Sequence, residues 1–168
     1  MIKNVETPLP FNHFDAQGQA VMVDICAKNP TLRLAVAGCQ VRMQPETLQA
    51  VLDRNLAKGD VLGVARLAGI SAAKRTDELI PLSHPLALHF LAIDFHATPE
   101  TGVLEIRGTV KAFERTGVEM EAMVATTVAA LTVYDMCKGA DKRITIDNVA
   151  LLYKEGGKSG VFRREEGL

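Results

Sequence analysis

The residues that could do chemistry lie in four stretches whose neighbours are largely apolar. Asp135-Met136-Cys137-Lys138 sets a carboxylate and an ammonium three residues apart, which lets them meet on one helical face. An aspartate near a helix C-terminus opposes the helix dipole, so its presence needs a reason. A plain ion pair is one reason, and a pair that tunes proton transfer is the other. Glu119-Met120-Glu121 opens the same helix. Residues two apart do not share a helix face, so one glutamate can point inward and the other outward. Simple charge–dipole capping also accounts for acidic residues there. Leu82-Ser83-His84-Pro85 fixes a histidine in an apolar, proline-bounded loop, where it reads as a satisfied core residue or as a proton carrier. Lys58-Gly59-Asp60 places a lysine at a helix junction, with a favourable dipole contact as the plainer explanation.

A fifth stretch, Gly156-Gly157-Lys158-Ser159-Gly160, resembles a Walker A loop only in part. That loop needs a glycine where this chain has Leu152, and too few residues remain for the following helix. What survives is an N–H-rich loop with a lysine, suited to a phosphate. Lys138, Lys142, Arg143, Lys154 and Lys158 crowd this part of the sequence, as a solvated basic surface or as a polyphosphate site. No GxSxG elbow occurs. His13, His84, His89 and His96 lack ligand spacing, so no metal site is expected. Cys26, Cys39 and Cys137 form no CxxC and read as three buried thiols rather than a disulfide framework or zinc site.

The elements that must position these groups follow from periodicity. Residues 1–20 carry Pro8, Pro10 and Gly18 without periodicity and read as a flexible N-terminal tail, followed by a single catalytic domain over 21–168. Leu34, Val36, Cys39, Val41 and Met43 suggest a first strand with a bulge near Gly38. Pro45 opens a helix whose apolar spacing runs through Leu56 to a stop at Lys58-Gly59. Asp60 can cap the next helix, with Val61, Val64, Ala65, Leu67 and Ala68 as its apolar face and Gly69 as a weak point. Residues 79–85 carry two prolines and read as an apolar, buried loop. Strands around His89–Phe95 and Leu104–Lys111 make a hairpin about the turn 99–102. Residues 117–138 are apolar on all sides, which predicts a helix buried on more than one side. A last strand over 144–152 breaks near Asn148. The order β, helical pair, β, β, α, β predicts an α+β, ferredoxin-like split βαβ fold with an antiparallel sheet and helices on one face. The other sheet face then calls for cover by another subunit.

With 168 residues, 48% hydrophobic and 23% charged, the chain is sized for one globular domain. A formal charge of −1 and 5% aromatics without tryptophan argue against a nucleic-acid partner. No run of apolar residues is long enough to span a membrane and no leader opens the chain, so a cytoplasmic protein is expected.

Several segments together resemble the molybdenum-cofactor biosynthesis protein C family, the cyclic pyranopterin monophosphate synthases. They are Met22-Val23-Asp24-Ile25, Lys58-Gly59-Asp60-Val61, residues 65–70 (Ala-Arg-Leu-Ala-Gly-Ile) and Ala73-Lys74-Arg75-Thr76. Leu79-Ile80-Pro81-Leu82 with His84-Pro85, residues 116–122, residues 134–138 and the Gly156–Gly160 loop complete the set. Each is weak alone; their order and spacing from about residue 20 to 162 is specific.

The resemblance implies conversion of 3′,8-cyclo-7,8-dihydroguanosine 5′-triphosphate to cyclic pyranopterin monophosphate with release of pyrophosphate. It implies a homohexamer, a trimer of dimers, with sites at subunit interfaces. Asp135 matches the catalytic aspartate, with Lys138 and Lys58 as acid–base partners. Leu82, Ser83, His84, Met120 and Glu121 match substrate-contact segments. Glu119, Lys154 and Lys158 match further polar positions, the two lysines near the triphosphate. A lysine among other cations has a lowered pKa and can donate a proton near neutral pH. Lys58→Met is expected to abolish turnover and leave the fold intact. No tightly bound cofactor is expected, and Mg2+ can accompany the triphosphate or pyrophosphate. One departure is Ser83, where the family usually carries cysteine; a small polar group remains and thiol character is lost. The competing readings are a non-enzymatic nucleotide-binding regulator and another acid–base nucleotide lyase or cyclase.

Overall fold

Strict alternation along the third strand shows how the sheet acquires two unlike faces. In Val103–Glu114 (β3) the residues Leu104, Ile106, Val110 and Ala112 are buried, whereas Arg107, Lys111 and Phe113 between them are exposed. The same period governs Thr31–Arg42 (β1), whose Ala35, Ala37, Cys39 and Val41 are fully buried. A computed structural model describes residues 13–54 and 59–165. Its remaining elements are the helices Pro45–Leu52 (α1), Val61–Ala73 (α2), Thr76–Leu79 (α3) and Glu119–Cys137 (α4), and the strands Phe90–Thr98 (β2), Thr145–Glu155 (β4) and Phe162–Arg163 (β5).

The strands form one antiparallel sheet in the order β2-β3-β1-β4-β5. Without the short β5 this is the split βαβ arrangement that the order of elements predicts. Helices α2 and α4 pack on the face that carries the buried alternate residues. Burial of Ile93, Leu104 and Ile106 between sheet and helices stabilises the fold by about 1.5–3 kcal/mol each. The opposite face is apolar at one end, with Leu32, Phe90 and Phe113 exposed. At its other end it is polar, where Arg42 pairs with Asp147 and donates to Gln40.

Five details depart from the sequence expectations. Helix α1 stops at Leu52, because Arg54 turns left-handed at φ 56°. Leu56 and Lys58 lie outside the described residues. The irregularity at Gly38 is real, but the additional residues sit in β4, opposite an unbroken β1–β3 pairing, and Asn148 takes φ 55° there. On α2, Val64 and Leu67 face outward, Leu67 at 67% exposure, and the buried stripe is Val61, Ala65, Gly69, Ala72 and Ala73. Gly69 is the contact point rather than a weak point. A Cβ there would lie 2.4 Å from Ile93 Cδ1 and 2.6 Å from the Ala125 carbonyl oxygen, so only glycine lets α2 and α4 approach this closely. Residues 13–21, within the stretch read as tail and just beyond it, form a small hairpin bridged at Phe14 and Ala20.

Candidate active site

Helix α4 carries candidate residues at both ends, and the two ends differ in kind. At its N-terminal end Glu119 and Glu121 diverge as their spacing requires. Glu121 turns inward and is 3% exposed. Its Oε2 has no hydrogen-bond partner. Burial, with smaller contributions from Glu119 and Asp77, pushes its carboxyl up to about 7. Glu119 turns toward β4, where its Oε1 accepts from Lys154 Nζ at 2.9 Å. The same ammonium donates to Ser159 Oγ at 3.1 Å, which ties the Gly156–Gly160 loop to the helix start.

That loop is moulded on a residue the sequence reading missed. Arg33 lies on β1 in step with the buried Ala35 and Ala37, an anomalous place for a guanidinium and a legible sign of a role. Its Nε and Nη2 donate to the carbonyls of Glu114 and Arg115 at 3.0 and 3.1 Å. A Cβ on Gly157 would sit 1.8 Å from Arg33 Nη1, and one on Gly156 2.1 Å from the Leu32 carbonyl oxygen. Both glycines have positive φ, 100° at Gly156 and 75° at Gly157, so the loop needs them for conformation as well as room. Lys158 is exposed at the loop tip.

A cavity of about 570 Å³ opens beside this end of α4. Glu119, Met120 and Glu121 form one wall, and Leu82, Ser83 and His84 form another. The loop holds its course because α3 ends in a turn, with Ser83 N–H donating to the Ile80 carbonyl at 2.9 Å. The segment 79–85 is not buried as its composition predicts: Leu79, Pro81 and Pro85 are exposed, because residues 80–84 line this open cavity rather than pack in the core. The dense basic stretch of the sequence therefore divides. Lys154 and Lys158 belong to this end, whereas Lys142 and Arg143 precede β4 and lie about 30 Å away along its 11 residues. A second hollow of about 590 Å³ is lined by Glu46, Asp53 and Glu100, carboxylates that repel a polyanion, and by none of the predicted site residues.

At the C-terminal end of α4, Lys138 Nζ meets Asp135 Oδ1 at 2.5 Å. Their side chains are 54% and 62% exposed. The hydrogen bond and charge of Asp135 raise the Lys138 pKa, opposite to the lowering expected for a lysine among cations. Sixteen residues separate Glu119 from Asp135, which is about 24 Å along the helix axis. One chain thus brings together Leu82, Ser83, His84, Glu119, Met120, Glu121 and Lys154, with Lys158 on the adjoining loop, and leaves Asp135 with Lys138 apart. Lys58 lies outside the described residues.

Among the described residues no helix is long and apolar enough to cross a membrane, and no group of three or more His, Cys, Asp or Glu side chains converges as metal ligands would. Of the three cysteines expected to be buried, Cys39 and Cys137 are, but Cys26 is exposed because it lies in the loop before β1, outside the packed core. The Cys39 thiol, which burial pushes up to about 12, is an inert core group.

Comparison with known proteins places these features in one lineage. A synthase from Geotalea uraniireducens (strain Rf4), named cyclic pyranopterin monophosphate synthase, is 71% identical over 94% of this chain and 99% of its own length. Its namesake from Geobacter metallireducens is 65% identical over the same shares. The namesake from Thermomicrobium roseum is 54% identical over 92% of this chain and 93% of its own. The family model described as MoaC matches residues 22–157, from the motif after the N-terminal hairpin to the glycine loop, and the chain belongs to the MoaC family.

Proposed function

We propose that the protein is a cyclic pyranopterin monophosphate synthase, a lyase of molybdenum cofactor biosynthesis. It converts 3′,8-cyclo-7,8-dihydroguanosine 5′-triphosphate to cyclic pyranopterin monophosphate and pyrophosphate. Identity of 71% over nearly the full length of a protein of that name carries this reading. The cavity at the start of α4 suits the substrate. Its apolar wall takes a flat heterocycle, its buried carboxyl accepts or returns a proton near neutral pH, and Lys154 and Lys158 stand beside it for the phosphates.

Asp135 acts as the catalytic carboxylate, with Lys138 and Lys58 as its acid–base partners. Asp135 holds Lys138 in its charged form, so proton donation by Lys138 requires the aspartate to be drawn toward the substrate. A single small ligand cannot touch both ends of α4 in one chain. The reading therefore includes a homohexamer, a trimer of dimers, in which the Glu121 end of one chain meets the Asp135 end of another. Exposed Leu67 on α2 and Leu131 on α4 supply apolar surface for such contacts on the helical layer. Mg2+ accompanies the triphosphate, held by the substrate's own oxygens. The reading places the reaction in the cytoplasm.

The test is to incubate purified protein with the cyclic dihydro-GTP substrate and follow pyrophosphate release and pterin formation by mass. Pterin from the wild type is expected. Nucleotide binding without any product would overturn the reading in favour of a regulator, and a different product would point to another lyase or cyclase. Mixed oligomers of Asp135→Asn and Glu121→Gln chains test the shared site. In an isologous dimer about a quarter of the sites regain both intact residues, so activity returns. Mixed chains that exchange fully yet stay inactive would show that each site is built from one chain.

A further inference from the structure

We propose that the N-terminal hairpin, residues 13–21, is the mobile wall of the substrate cavity, with the Phe14 ring closing on the flat face of the bound heterocycle. The proposal rests on the reading that this cavity takes the cyclic dihydro-GTP substrate. His13 and Phe14 line the cavity, facing the Leu82–His84 loop and the start of α4. They are its contribution from a segment otherwise outside the packed core.

The hairpin is ordered by its own bonds. Asp15 Oδ1 accepts from the N–H groups of Gln17 and Gln19 at 2.9 and 2.8 Å. Asp15 N–H donates to the Gln19 carbonyl and Val21 N–H to the His13 carbonyl, at 2.9 and 3.0 Å. Gly18 makes the turn with φ 78°. Every residue from 13 to 22 is exposed, so no core burial offsets the entropy of ordering this segment. A self-braced hairpin with so little packing has the low local stability of elements that open and close over ligands.

Phe14 is 60% exposed at the cavity rim. An aromatic ring left in water at the mouth of an apolar slot gains most from a planar partner, and the same cavity is lined by Ile80, Pro81, Leu82 and Met120, apolar groups for the partner's other face. His13 sits where a ring nitrogen can hydrogen-bond the polar edge of the same ligand. The hairpin thereby covers the heterocycle, while Lys154, bonded to Glu119 of the cavity wall, and the exposed Lys158 hold the phosphate end.

The chain has no tryptophan, so Phe14→Trp installs a single indole reporter. Its emission is expected to change on titration with the cyclic dihydro-GTP substrate and to saturate in step with turnover. Phe14→Ala is expected to raise KM by about 5- to 100-fold with a much smaller change in kcat, the range set by loss of one base–aromatic stack. Phe14→Tyr should restore the wild-type KM, and the thermal midpoint should hold throughout. Unchanged emission at saturating substrate, or an unchanged KM in Phe14→Ala, would overturn the proposal. So would a loss of activity that follows a fall in thermal midpoint, since that marks a purely structural role. Wild-type pterin formation is read in the same assay, which separates failure of this proposal from failure of the reading beneath it.

Discussion

The two ends of α4 hold carboxylates in opposite environments. Glu121 is sealed between helix and loop with one oxygen unpartnered, and desolvation sets its proton affinity. Asp135 stands in solvent with Lys138, and its hydrogen bond, with its charge second, raises the Lys138 pKa. The first is tuned by the fold of one chain. The second has no low-dielectric surroundings in that chain, and a surface ion pair is weak in water. Burial against another subunit would change that, because the same pair interacts far more strongly once water is excluded.

The sharpest way to break this contrast is Asp135→Asn. Turnover should fall by about 10²- to 10⁴-fold, the usual share of a proton-transferring side chain, while the thermal midpoint stays put because the side chain is 62% exposed and its surface pair with Lys138 adds little to stability. A variant with substantial pterin formation would remove Asp135 from the chemistry.

Glu121 should reveal itself in stability as well as in turnover. Its folded pKa of about 7 lies above its ordinary value of 4.5, so the native state binds the additional proton between those limits. Stability is then full below about pH 4.5 and is lost as pH rises toward 7, by about 3 kcal/mol in all. Glu121→Gln mimics the neutral form and should flatten that slope in melts from pH 5 to 8. An unchanged slope would show that the carboxyl is not buried in solution.

Between the two ends, Gly69→Ala probes the close approach of the helices. The new methyl meets the Ala125 carbonyl, which is backbone and cannot rotate away, so a loss of about 1–3 kcal/mol is expected in denaturant melts. The smallest effect belongs to Gly117→Ala. Its methyl would displace the Glu119 carboxylate, a flexible chain end, and loosen the grip on Lys154. A rise in KM of a few-fold at unchanged melting temperature is expected, largest for the triphosphate portion of the substrate and readable by competition with pyrophosphate.

Much of this was legible in residue order. Asp60 caps α2 as its type suggests, with its Oδ1 accepting from Gly63 N–H at 2.8 Å. The divergence of Glu119 and Glu121 follows from helical spacing alone. Residues 117–138 read as a buried helix because apolar side chains surround it, and Glu119–Cys137 is that helix. The cations that crowd the sequence after Lys138 are spread by β4, which carries Lys154 and Lys158 away from Lys142 and Arg143, and the Asp135 hydrogen bond raises the Lys138 pKa instead. Asp141 went unnoticed in that basic stretch. It is 2% exposed and accepts from the N–H groups of Gln44 and Arg143 at 2.8 and 2.9 Å, which holds its carboxyl below the usual range and anchors the start of α1.

The sequence by itself determined the period of each strand and helix, the capping and breaking points, and the identity of most groups at the candidate site, since these depend on neighbours a few residues apart. Tertiary structure alone decided which of those groups meet. It buried Glu121 and left Asp135 in water, seated Arg33 under the glycine loop, and set Phe14 at the cavity rim. Each of these outcomes depends on contacts between segments distant in the chain, and local propensity carries no information about the dielectric or the partners that such contacts create.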